Sequence, residues 1–354
     1  MSEPIYTPRE RLLRVLRRET VDRPPVICIG GMMNAAIVDV MKKSGHTLPE
    51  AHNDPALMAA LAEDVWEYTG FENIAVPFCM TIEAELLGSR VDKGTLECEP
   101  KIVKEPYPSV KEVEYLDVDK LVKQGRIPVV LEAVRRLSTS HPNDPVIVSI
   151  TGPISTAASL VDPMTFYKEL RKNPTEAHRV LDYVTKLLTT FAWNAIDAGA
   201  TAIAIGDPSA TGEILGPAMF GEFAVPHINS FASAVHAHGA PFILHICGDM
   251  KRVKHLLPNL CDDAISTDAM VSLPKLKEEY PQLTTMGNVS TYALQWGSPD
   301  KIADITSRLV RDGVNIISPA CGLSTSTSLS NIRALTDTVK NATVNKTGNE
   351  LVLS

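Results

Sequence analysis

Cysteine is scarce in this chain: six residues in 354 are too few for a disulfide scaffold and fit a protein of the reducing cytoplasm. No apolar run approaches the ~18 residues that would read as a membrane helix. The N-terminal stretch lacks the apolar core of a secretory signal, because Arg9, Arg11, Arg14, Arg17 and Arg18 interrupt it. Basic charge is in deficit, 34 Lys and Arg against 42 Asp and Glu for a net charge of −8, which argues against non-specific binding to nucleic acid or an anionic membrane. Internal repeats and low-complexity tracts are also missing. The 44% hydrophobic content, in contrast, suits a chain with a substantial core and excludes a disordered one.

What is present is an alternation of short apolar runs with longer helical patterns. A helix start is legible at Thr7-Pro8-Arg9-Glu10, with a capping hydroxyl, Pro at the first helical position and Glu10 able to reach back. Leu12, Leu13, Val15 and Leu16 form its stripe, and Asp22-Arg23-Pro24-Pro25 stops it. β-type runs are expected at Val26–Ile29, Ile74–Val76, Val146–Ile150, Ala202–Ile205, Phe242–Cys247, Ala264–Thr267, Leu283–Met286 and Val314–Ser318. They are almost continuously apolar, as strands covered on both faces should be. Helices are expected at Asp54–Thr69, Pro163–Ala198, Pro217–His238, Leu273–Glu279, Pro299–Asp312 and Leu329–Val339. Eight strand–helix repeats predict a (β/α)8 TIM barrel, with a doubly wound open sheet as the other architecture of that rhythm. Residues 1–340 read as one barrel domain. The stretch 89–144 is too long for a βα connection and reads as a hairpin-containing insertion between strands 2 and 3. Its hairpin spans Arg90–Glu99 and Lys101–Glu105, and a helix follows at Pro128–Leu137. Residues 341–354 read as a polar, frayed tail.

The sharpest chemical signal is His245-Ile246-Cys247-Gly248-Asp249. Residues two apart on a strand share a face, so His245 and Cys247 project together at the C-terminal strand end, where barrels carry their chemistry. Cys321 follows the last strand run in Ile317-Ser-Pro-Ala-Cys-Gly322. One imidazole and two thiolates suit Zn²⁺ and leave one position open, as catalytic zinc sites do. Such an ion either activates water or binds a substrate thiol as thiolate. Two sulfur ligands favour the second use, and no His-Glu-x-x-His helix or Gly-x-Ser-x-Gly elbow supports a hydrolase. Cys28, Cys98 and Cys261 read as core or surface thiols, whereas Cys79 ends a strand run near the mouth. Asp207 and Asp268 end other strand runs, either capping the next helix or serving the site. Glu83 and Glu85 share a face only if their stretch is extended; either is a candidate fourth ligand or proton acceptor. Gly152, Asn288 and Asn34, each at a strand end, are candidates to contact a bound cofactor. Ile29-Gly30-Gly31-Met32-Met33-Asn34 has the wrong spacing for a dinucleotide loop, and His236-Ala-His-Gly239 lacks the preceding Asp of a corrinoid-carrier string.

His245-Ile-Cys-Gly-Asp249, Cys321-Gly322, Ala204-Ile-Gly-Asp-Pro-Ser209 and Met80-Thr-Ile-Glu-Ala-Glu85 together resemble the methylcobamide:coenzyme M methyltransferases of the uroporphyrinogen decarboxylase superfamily. The likeness runs from Thr7 to Leu335 and includes Gln124-Gly-Arg-Ile-Pro-Val-Val-Leu-Glu132. It implies a barrel with one zinc held by His245, Cys247 and Cys321, and a separate methyl-corrinoid protein docking over the mouth. It implies methyl transfer from methylcobalamin-type Co(III) to a small acceptor, first of all the thiol of coenzyme M. The decarboxylase's arginine-rich N-terminal motif is missing at Ile29–Asn34, which argues against porphyrinogen decarboxylation. The same segment departs from the coenzyme M enzymes and leaves tetrahydrofolate as acceptor, or a methoxylated donor, as the alternative. A non-catalytic barrel that only docks the corrinoid protein, and a homo-oligomeric state, also stay open.

Overall fold

The computed structural model describes residues 5–30, 35–344 and 351–353. Its chain order is β1 (Ile74–Val76), a hairpin of β2 (Arg90–Asp92) and β3 (Lys101–Lys104), then β4 (Val146–Thr151), β5 (Ala202–Gly206), β6 (Phe242–Ile246), β7 (Ala264–Thr267), β8 (Thr285–Val289) and β9 (Ile316–Pro319). β1 and β4 to β9 pair in that sequence, all parallel, with helices between them. Every residue of β4, β6, β7, β8 and β9 is buried, as expected of strands lined on one face by the ring interior and on the other by helices. The architecture is the (β/α)8 barrel, with the hairpin inserted after the second strand position.

The first strand position differs from expectation. Val26–Ile29 makes only one bridge, Val26 to Ile317 in β9, with the Ile27 N–H donating to the Ile317 carbonyl at 3.0 Å. Towards β1 there is no ladder, because side chains take its bonds. Asn73 accepts from the Cys28 N–H and donates to the Cys28 carbonyl, both at 2.8 Å. The Glu72 N–H donates to the Val26 carbonyl at 2.8 Å, and its carboxylate accepts from the Val26 N–H at 3.0 Å. The seam between the eighth and second strand positions is thus closed by one short segment and two adjacent residues.

Other departures have local causes. The helix expected over Pro163–Ala198 is two, Pro163–Lys172 and Pro174–Asp197, because Pro174 has no N–H to continue the ladder. Pro217–His238 is interrupted by a π-turn at Phe220–Ala224, just before Pro226, which likewise lacks an N–H. The seventh strand begins at Thr285 rather than Leu283, since the Leu283 N–H closes a turn on Tyr280. Ile127–Ser140 packs on the helix Pro55–Thr69 and on β1 and β4. Ala342–Val344 pairs antiparallel with Leu351–Leu353, and the rest of the expected tail, 345–350 and 354, lies outside the described residues. The first helix, Pro8–Leu16, has the expected reciprocal cap between Thr7 and Glu10. It buries Arg11 with Leu12, Val15 and Leu16 and leaves Leu13 partly exposed. No helix among the described residues is long and apolar enough to cross a membrane.

Arg11 is buried because the seam needs it. It donates to Glu72 at 2.9 Å and to both oxygens of Asp22 at 2.7 and 2.8 Å, while Arg23 donates to both oxygens of Glu72 at 2.7 and 2.8 Å. Burial alone would raise the Glu72 carboxyl, but the two guanidiniums and the Val26 N–H hold it below its ordinary value. Removing one partner from such a group leaves buried charge uncompensated. Glu72→Gln is expected to lower unfolding free energy by about 3–5 kcal/mol in urea titrations at neutral pH. A depressed carboxyl contributes stability above its unfolded pKa of about 4.3 and loses it as pH falls through the lower folded value. The variant's deficit should therefore shrink in acid, read as convergence of the two urea midpoints.

Candidate metal centre

β6 delivers the imidazole. His245 is 3% exposed and stands in register with Ser266 of β7 on one side and Gly206 of β5 on the other. Its Nδ1 lies 3.0 Å from the Ser266 Oγ, which leaves Nε2 facing the mouth, 3.0 Å from the Cys247 Sγ. Cys247 is one residue past the strand, and Gly248 then turns the chain away at φ +76°, a conformation L side chains rarely adopt. Across the ring, the Ala320 N–H donates to the Val289 carbonyl at 2.8 Å, so the β9 pairing runs on almost to Cys321. The Cys321 Sγ lies 3.2 Å from the Cys247 Sγ. All three donor atoms fall within 4.8 Å of one another, and no other such group occurs among the described residues.

The two sulfurs differ. The Cys321 thiol is held well below its ordinary range, first by the hydrogen bond from Cys247 and then, against burial, by His245 and the Gly322 N–H. Cys247, as donor, is pushed up by that bond to Cys321 and by burial. One sulfur is thus already favoured as thiolate beside an imidazole of fixed orientation. The set fits a borderline-soft ion such as Zn²⁺, with three protein ligands and a fourth position open.

Each predicted carboxylate has hydrogen-bond partners of its own. Asp207, fully buried, accepts from the Ile154 N–H at 3.0 Å, the Ser155 N–H at 2.9 Å and the Ser155 Oγ at 2.6 Å. Burial pushes its carboxyl up to about 6 against those bonds. Gly152 lies against it so closely that a Cβ there would fall 2.4 Å from the Asp207 side chain. Glu83, buried on the helix Ile82–Leu86, accepts from the Thr151 N–H at 3.0 Å and its hydroxyl at 2.9 Å, and burial raises its carboxyl. Because that stretch is helical, Glu85 turns elsewhere, to Arg126 at 2.6 Å and to Lys93. Arg126 also donates to the Cys79 Sγ at 3.0 Å, which occupies the third cysteine near the mouth. Asp268 is half-buried, accepts from the Met270 N–H at 3.1 Å and acts electrostatically on Cys247. Asn288 donates to the Asp268 and Val271 carbonyls, both at 2.8 Å, tying the β8 end to the loop after β7. Asn34 lies outside the described residues.

Sequence reasoning missed Ser266, Arg126 and Glu99. Ser266 had a signal, since it stands two residues before Asp268 on the strand beside His245. Glu99, in the hairpin, lines a cleft that reaches Gly322 and Leu323. It keeps much of its surface in solvent, yet desolvation at the cleft wall and the neighbouring Cys321 sulfur push its carboxyl up to about 7. Nothing in its local sequence marks that proximity.

A parallel barrel with one imidazole and two thiols converging at its mouth defines the class: a (β/α)8 protein with a candidate metal centre. Within that class the chain belongs to the uroporphyrinogen decarboxylase (URO-D) family, whose model matches residues 7–342. It is 31% identical over 338 residues to the methylcobamide:CoM methyltransferase MtbA of Methanosarcina acetivorans, covering 95% of this chain and 98% of that one. It is also 31% identical to the methylcobamide:CoM methyltransferase MtaA of Methanosarcina barkeri, over 95% and 97% of the two chains. The solved structure of a methyltransferase from Methanosarcina mazei superposes with a TM-score of 0.89 at 31% identity, covering 95% of this chain and 98% of that chain.

The Ser266 contact gives a test of the centre. Outer partners that orient a ligating imidazole are worth about 10–100-fold in metal affinity. Ser266→Ala is expected to weaken Zn²⁺ binding by that factor in competition with a chromophoric chelator, with the fold unchanged by circular dichroism.

Proposed function

We propose that the protein is a zinc-dependent methyltransferase that moves a methyl group from a methylated corrinoid, carried by a partner protein, to a small thiol, with coenzyme M the first acceptor. The single observation that carries this reading is the convergence of His245, Cys247 and Cys321 within 4.8 Å at the mouth. The relatives' names support methylcobamide as donor and coenzyme M as acceptor. Zn²⁺ bound there supplies the electrostatic stabilisation that keeps an acceptor thiol deprotonated near neutral pH.

The remaining work falls to the chain. His245, fixed through Ser266, and the two cysteines on opposite arcs set where the acceptor sulfur sits. Two thiolate ligands crowd negative charge around that sulfur and so preserve its nucleophilicity. The thiolate attacks the methyl carbon, a C–S bond forms, and the Co–C bond breaks with its electron pair leaving on cobalt as Co(I). Asp268, half-buried and close enough to influence Cys247, is the carboxylate assigned to receive the thiol proton. Asp207 and Glu83 hold the loops after β4 and β5 rigid, because their oxygens are taken up by the Thr151–Ser155 segment. The catalytic gain is mainly alignment of sulfur, carbon and cobalt, an effect able to supply about 7–11 kcal/mol.

Cys247→Ala is expected to lose bound zinc by metal analysis and to lose demethylation of free methylcobalamin by coenzyme M, followed by corrinoid absorbance. Full turnover in the zinc-free variant would remove the mechanism. Turnover with tetrahydrofolate alone would replace the acceptor.

A further inference from the structure

We propose that His178 and His227 form a second metal site, in the helix layer, that takes Zn²⁺ or a like divalent transition ion. Neither residue enters the methyl transfer described above, so the inference stands without that reading.

His178 lies on the helix Pro174–Asp197 and His227 on the helix Val225–Ala237 packed against it. The His178 Nδ1 stands 3.2 Å from the His227 Nε2. Two imidazole nitrogens on one tetrahedral Zn²⁺, each at about 2.0–2.1 Å, stand about 3.3–3.4 Å apart, so the pair already has the bite of a chelate. Both rings are held in place. His178 stacks on Phe223 with 4.5 Å between ring centroids and 24° between planes, and His227 is 5% exposed. Phe223 belongs to the π-turn Phe220–Ala224, an irregularity that is frequent at functional sites.

The outer nitrogens decide what the inner ones offer. Asp182 lies 3.5 Å from the His227 Nδ1, and Glu222 lies 3.9 Å from the His178 Nε2. An ionised carboxylate only accepts, so each draws the ring N–H to its own side and leaves a lone pair on the inner nitrogen. Metal-ligating imidazoles are oriented in this way by an outer carboxylate. Two lone pairs facing each other at 3.2 Å repel unless a cation lies between them. A proton there charges a buried ring, and burial pushes His227 down to about 4 even with Asp182 beside it. A divalent ion instead takes both lone pairs, with two carboxylates set against its charge. Water completes its shell, because the His178 side chain keeps 36% of its surface in solvent. Imidazole ligands suit zinc, copper and nickel, whereas magnesium and calcium prefer oxygen. Such an ion clips the helix that leads into β5 to the helix that leads into β6, the strand bearing His245.

The test titrates Zn²⁺ by calorimetry into the full-length protein, dialysed to remove weakly held metal, beside His178→Ala and Asp182→Asn. The wild-type protein is expected to take up one equivalent more than His178→Ala, a difference that does not depend on whether the centre at the mouth fills. Asp182→Asn, a change at a side chain 74% exposed, should keep that equivalent but bind it about tenfold or more weakly. Excess Zn²⁺ should also raise the thermal midpoint of the wild-type protein by more than that of His178→Ala, since an ion bound only by the folded state stabilises it. Equal uptake by the wild-type protein and His178→Ala, as when the two rings merely share a proton, overturns the site. Unchanged affinity in Asp182→Asn overturns it as well.

Discussion

Closure of the strand ring is the constraint on which everything else depends. Cys247 follows β6 and Cys321 follows β9, strands that are not neighbours in the sheet. They meet at 3.2 Å because the sheet curves round on itself, and the curve is secured where Val26–Ile29 meets both β9 and β1. That seam has no ordinary ladder on its β1 side. Glu72 and Asn73 supply the missing hydrogen bonds, and Arg11 and Arg23 neutralise the carboxylate that does so. A charged knot thus helps to hold in place the segment whose end, Ile29 and Gly30, lines the same cavity as the three donors.

Two buried carboxylates are tied into dense hydrogen bonding beside β4. Asp207 acts electrostatically on Cys247, yet its oxygens, like those of Glu83, bind backbone N–H groups and hydroxyls of the stretch Thr151–Ser155. Buried carboxylates carry a desolvation cost that such bonds offset, and the resulting loop is hard to move. That suits the proposed methyl transfer, in which three atoms must line up and little acid–base chemistry is needed. The hydrogen bonding of these two acids is thus compatible with a structural duty.

The fold was legible where the sequence pattern was dense. Continuous apolar runs identified the buried strands, and Pro-initiated helices marked many of the helix starts. Legibility failed where a bond is made by a side chain instead of a ladder, as with Asn73 at the seam, or where Pro174 and Pro226 break an otherwise continuous helical pattern. For the site, the two-residue spacing of His245 and Cys247 was readable because strand alternation is a local rule. Cys321 was readable only with the barrel assumed. Ser266, Glu99 and Arg126 act through neighbours more than 20 residues away in the chain, and no spacing rule reaches that far.

The 74-residue separation of Cys247 and Cys321 has a consequence for the protein's durability. An ion shared by those sulfurs spans two arcs of the cylinder, so part of its affinity is stored as resistance to unfolding. With an ion bound there, the molecule would be fastened at two places, by charge at the flank and by coordination at the rim. Its lifetime in a cell would track how much free metal surrounds it, coupling catalytic readiness and persistence to one supply.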